Sequence, residues 1–140
     1  MKKTCSRTVL DACGSVAAEF ALVVPLLFSL IFGAFEAASI AFSMNLMQHE
    51  AMVLARRLAV NTITPGEIAG QIQHNLPPWL RTHVSYTVAH TDIEQPRLNF
   101  ITVQLSAAAD DASLIVFFSR VLPWTIRATA TAKQEVPFDG

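Results

Sequence analysis

Apolar positions follow two rhythms along the chain. The first is helical and starts as an almost unbroken run. From Ser15 to Phe35 the only ionisable residue is Glu19, and Phe20–Phe35 carries no charge. At ~1.5 Å per residue, Val16–Phe35 rises roughly 30 Å, the thickness of a bilayer's hydrocarbon core. Pro25 removes one backbone donor there and is expected to kink the helix, which membrane helices tolerate. Beyond Phe35 the run becomes amphipathic: Ile40, Met44, Met47, Ala51, Leu54 and Leu58 recur at threes and fours, while Asn45, Gln48, His49 and Arg56 fall elsewhere. This predicts one long helix ending before Thr64-Pro65-Gly66, then a shorter helix from Gly66 to Asn75 stopped by Pro77-Pro78.

The second rhythm has period two. Val84, Tyr86 and Val88 alternate with polar or small residues, as do Ile101, Val103 and Leu105, and then Ile126, Ala128, Ala130 and Ala132. Three strands with one apolar face each follow, and the amphipathic half of the long helix is the obvious cover for that face. Between the last two strands lie Leu114–Phe118 and Val121–Trp124, too short to span a bilayer. The expectation is core or membrane-surface packing, with an exposed contact patch as the alternative. The fold class is therefore α+β: a long N-terminal transmembrane helix continuing into an amphipathic one, packed on a small antiparallel sheet of about three strands.

Composition supports a membrane protein. The chain of 140 residues is 52% hydrophobic and only 15% charged, with a net charge of −1, so no basic field points to nucleic acid. Lys2, Lys3 and Arg7 precede the apolar run, whereas the first basic residues after it are Arg56 and Arg57. By the positive-inside rule the N-terminus stays cytoplasmic and the rest is exported. The expected division is a basic leader over 1–14, a transmembrane helix over 15–44 and an exported α+β domain over 45–140, compatible with a bacterial periplasm, in a single-pass protein. Cys5 and Cys13 both precede the apolar run, so the exported part needs no oxidative folding. A removable signal peptide, cut near Ala34–Ser39, is the competing reading; the run is long for one.

Two positions at the start of the run call for explanation. Gly14 separates the charged leader from the apolar helix, and Glu19 places a carboxylate in its first turns. The helix dipole and the nearby interface lower the cost of that acid. The functional reading is a pairing with a positive group at the same depth, such as the amine of a neighbouring chain. Ser29, Gly33, Ala37 and Ala41 recur every four residues, drifting by about 40° per step, and would let another helix approach closely.

This basic leader, Gly14, immediate apolar helix and Glu19 resemble the processing site of type IV prepilins and pseudopilins. More narrowly, GSVAAEFALVVPLLFSLIFGAFEAA, with Pro25 inside the run and a second acid, Glu36, at its far end, resembles the opening of TadE-like proteins of the tight-adherence (Flp) pilus system. Ser15, where type II secretion pseudopilins usually carry Phe, argues against that branch. The resemblance implies cleavage by prepilin peptidase between Gly14 and Ser15, and Glu19 as the subunit-pairing acid. It also implies other pilins or pseudopilins and an inner-membrane assembly platform as partners, in a system serving adhesion and biofilm growth.

Enzymatic motifs were sought and not found: no nucleophile elbow, Walker loop or His-Glu-x-x-His helix. His49, His74, His83 and His90 lack ligand spacing, and Asp110-Asp111 reads as a solvated turn. No enzyme, cofactor, metal or small-molecule substrate is expected. The leading expectation is a minor pseudopilin acting in pilus assembly; the alternative is a permanently anchored bitopic protein whose periplasmic domain binds another envelope component. The polar stretch Asp92–Arg97 is a candidate contact loop with no local signature.

Overall fold

A computed structural model describes residues 7–92 and 99–135, with side chains from Val16 onward. Lys2, Lys3, Cys5 and most of the Asp92–Arg97 loop lie outside the described residues. Helix α1 runs unbroken over Arg7–Ala59, through Gly14 and Pro25. Sequence reasoning placed its start just after Gly14. Nothing between Arg7 and Cys13 breaks a helix, and one interior glycine costs only about 1 kcal/mol relative to alanine, so the helix extends back into the leader. Over Val16–Ala59 it is long and apolar enough to cross a membrane once.

The far end of α1 is defined by Asn61, in the left-handed conformation at φ 54°. Its amide reaches the Leu58 carbonyl at 3.1 Å, and the Thr62 amide reaches Arg57 at 2.9 Å, the crossed pair of a Schellman stop. A 3₁₀ turn, Pro65–Glu67, leads into α2 (Ile68–Asn75). Thr64 donates its amide (2.8 Å) and hydroxyl (3.1 Å) to the Glu67 carboxylate, fixing the entry. Pro78 opens a further short helix, α3 (Pro78–Arg81), where sequence reasoning saw only a stop.

Strands β1 (Ser85–His90), β2 (Phe100–Ala108) and β3 (Thr125–Lys133) form one antiparallel sheet in the order β1-β2-β3. The register sets Val103 between Val88 and Ala130, and Leu105 between Tyr86 and Ala128, so the predicted apolar positions share one face. β3 presents Ala128 and Ala130, whose small side chains let α1 lie close against the sheet. The core joins Met47, Ala51, Leu54 and Leu58 of α1 to Ile101, Val103 and Leu105 of β2, with Ile68, Ile72 and Leu80 alongside.

Met44, expected on the buried face, is exposed, and Ser43 is buried instead. At this level α1 meets the turn after β2, where the Ser43 hydroxyl donates to the Ala112 carbonyl at 2.6 Å, leaving the Met44 side open. Lower down the same contact continues through Ser39 and Ser113, whose hydroxyls lie 2.8 Å apart.

Candidate functional site at the two ends of the apolar run

At the sheet end of the run the chain between β2 and β3 folds back onto α1 and closes over Glu36, which is 3% exposed. Its carboxylate accepts from three consecutive amides, Phe117 (3.2 Å), Phe118 (2.6 Å) and Ser119 (2.9 Å), and from the Ser119 hydroxyl (2.5 Å). All four contacts are donors, so the group serves as an anion holding a loop in shape. Glu36, Ser39 and Ser43 lie on one side of an otherwise apolar helix at spacings of three and four. That polar stripe was the available signal for this loop contact. Sequence reasoning noted Glu36 only as part of a resemblance and missed Ser39, Ser113 and Ser119.

Aromatic rings extend the contact down the helix. Phe28 stacks on Phe32 at 6.0 Å, Phe32 on Phe117 at 5.9 Å, and Phe117 meets Phe118 edge-on at 4.7 Å. Phe118 also lies over Gly33, where a Cβ would stand only 2.7 Å from the ring. Of the proposed helix-packing positions, Gly33 therefore receives a ring of its own chain. Ser29 donates to the Pro25 carbonyl at 2.8 Å, and Ala37 and Ala41 are exposed. The four do not form one open stripe.

At the other end of the run, Glu19 is exposed and has no hydrogen-bond or ionic partner among the described residues. It lies about 26 Å along the helix from Glu36, so the two acids stand at opposite borders of a hydrocarbon-thick stretch. Gly14 and Ser15 lie on the turn just before it, inside α1.

This geometry isolates one segment: a glycine, an exposed acid five residues on, and a helix apolar as far as a second acid. Residues 14–56 match the TadE-like protein family. The TadE-like segment begins on Gly14 and ends within α1, so it contains both acids and none of the sheet. Neither the curated proteins nor the solved structures gave a match.

Elsewhere the titratable groups are solvated or structural. His83 Nδ1 lies 3.3 Å from Asp111, both near half exposed. Among the described residues no group of three or more His, Cys, Asp or Glu side chains could hold a metal ion. The Glu67 carboxyl is held below its usual value by the Thr64 amide and then the Thr64 hydroxyl.

Proposed function

We propose that this chain is a TadE-like minor pseudopilin taking part in assembly of a tight-adherence pilus. It would cross the bacterial inner membrane once, with the leader cytoplasmic and the sheet domain periplasmic. Its work is assembly, not catalysis. The observation carrying this reading is that the TadE-like match starts on Gly14, with Glu19 five residues later exposed and without a partner among the described residues. Prepilin peptidase would cut after Gly14. The new amine on Ser15 would then pair with Glu19 of an adjacent pilin or pseudopilin, at a depth where a charge without a partner is costly. An assembly platform in the same membrane would receive the processed helix.

The second reading is a permanent anchor whose periplasmic domain binds another envelope component. The observation favouring it is that α1 continues through Gly14 and Ser15, so a peptidase would have to unwind that turn. Mass spectrometry of the mature N-terminus separates the readings. A chain starting at Ser15 supports the pseudopilin, an intact Met1 the permanent anchor, and a start near Ala37–Ile40 a secreted domain. Co-expression of wild type and Gly14→Ala with a prepilin peptidase tests the position of the cut; equal processing of both would refute it.

A further inference from the structure

The segment between β2 and β3 turns its side chains and its backbone in opposite directions. Leu114, Phe118, Val121, Leu122 and Trp124 are 47–76% exposed, a concentration of large apolar side chains of a kind that water disfavours. The backbone, in contrast, is largely paired within the chain: seven of its ten amides have a partner there, the exceptions among the described residues being Val116, Arg120 and Trp124. The amides of Leu114 and Ile115 reach the hydroxyls of Ser39 and Ser113, at 3.4 and 3.3 Å. Those of Phe117, Phe118 and Ser119 go to Glu36. Those of Val121 and Leu122 go to the Phe118 carbonyl, at 2.9 and 3.0 Å, and Pro123 has no amide to satisfy.

A loop facing water does not need this degree of internal pairing, because solvent accepts its amides. A loop entering hydrocarbon does, since irregular backbone there must have its polar groups satisfied by protein. Its depth agrees. Phe117 stacks on Phe32 and Phe118 covers Gly33, one turn below Glu36 and within the length of α1 that matches a bilayer core. Beside Phe118, Leu122 and Trp124 is an open hollow of about 210 Å³ whose lining is mostly apolar but includes Glu36 and Ser119.

We propose that residues 114–124 form a collar around α1 that is inserted among the lipids of the leaflet on the sheet side of the membrane. The occupant of the apolar surface is lipid acyl chain, continuous with the lipid around the spanning helix. Trp124 sits at the headgroup border, and Arg120, exposed on the same loop, extends to lipid phosphate. β3 starts at Thr125, directly after the collar, so the sheet is seated on the membrane at a fixed height and tilt. A second copy of the chain fits less well, because Phe117 and Phe118 lie level with Phe32 and Gly33, within the stretch of α1 that lipid would surround. The proposal rests on the single-pass reading of α1.

The test uses the full chain reconstituted in vesicles of phosphatidylcholine and phosphatidylglycerol, with bromine on the phosphatidylcholine acyl chain either near the ester or near the chain end. The protein has two tryptophans, so Trp79→Phe leaves Trp124 as the sole emitter. Trp124 is expected to lose most of its emission to bromine near the ester, less to chain-end bromine, and little to aqueous acrylamide. Quenching by acrylamide and not by bromine overturns the collar. Protection from both also overturns it, because protein then covers the surface. A reference chain, Leu26→Trp with Trp79→Phe and Trp124→Phe, reports on the span itself, since Leu26 is mid-run and 72% exposed. If that residue is quenched by chain-end bromine and Trp124 by none, the span stands and the collar falls. If neither is quenched, the single-pass reading falls and takes the collar with it.

Discussion

Replacing Glu36 with alanine removes the one group that accepts from Phe117, Phe118 and Ser119 together. A hydrogen bond to a charged group contributes about 1.5–3 kcal/mol net, and each buried donor left unpaired costs about 1–3 kcal/mol. Simple addition over four contacts overstates the effect. The covering layer is one loop thick and lies next to the headgroup border, so the freed donors reach water once the loop lifts out toward that border. A local loss of about 2–4 kcal/mol follows, felt by the loop between β2 and β3 and not by the sheet. The core of Met47, Leu54, Val103 and Leu105 does not depend on that loop.

Amide hydrogen exchange on the membrane-reconstituted protein reads this directly. Protection of the Phe117, Phe118 and Ser119 amides should fall roughly 30- to 700-fold in Glu36→Ala, while β2 and β3 keep theirs. Glu36→Gln retains one acceptor oxygen but turns an amide donor toward a donor cluster, so it falls between wild type and alanine. Equal protection of these three amides in wild type and Glu36→Ala would refute the argument that the carboxylate holds the loop. A uniform loss across β2 and β3 would refute its locality.

Other perturbations separate the remaining contacts. Gly33→Ala should be close to neutral, because the ring edge of half-exposed Phe118 can swing outward and alanine favours helix by about 1 kcal/mol, whereas Gly33→Leu should displace the ring and raise amide exchange at Phe117–Ser119. Ala128→Leu places a large side chain between α1 and β3 and should destabilise the sheet domain by about 1–3 kcal/mol, seen as a lower denaturation midpoint of the reconstituted protein. The Glu67 contribution to the α2 entry is present above the carboxyl's unfolded value and is lost as pH falls through its lowered folded value; amide exchange at Ile68 and Ala69, corrected for intrinsic rate, should rise on acidification in wild type but not in Glu67→Gln. Glu19→Gln should leave processing after Gly14 intact and abolish piliation, and normal piliation would remove the pairing role.

The architecture was readable because its two periods are clean. Alternation placed Ile101, Val103 and Leu105 of β2 and Ile126, Ala128 and Ala130 of β3 on the inward face, since a strand slipped by one residue would put all of them in water, but it stopped short of Ala107. The Thr64-x-x-Glu67 pair and Asn61 were equally local signals, passed over in favour of the more conspicuous prolines. The loop between β2 and β3 was not readable in this way. Its shape depends on a carboxylate 81 to 83 residues earlier in the chain, and no local propensity encodes a contact over that separation. Met44 failed for a related reason: helical periodicity gives a face, but which edge of it is covered depends on where the turn after β2 arrives.

The two acids of the apolar run have opposite fates, and this limits how subunits can meet. Glu36 is closed inside its own chain, and its carboxylate is already met by four donors, so an incoming amine would have to displace the loop. Glu19 has no such contacts among the described residues and stands exposed on the helix about 26 Å away. On the proposed pseudopilin reading, charge pairing between neighbouring helices would therefore fall to Glu19 and not to Glu36, at the border marked by Gly14. Pairing at that border alone would fix the axial register of two helices while leaving their rotation open. Rotation would then be set higher up by the seated sheet domain, which lies outside the TadE-like match and is where partner choice can be written without altering the anchor.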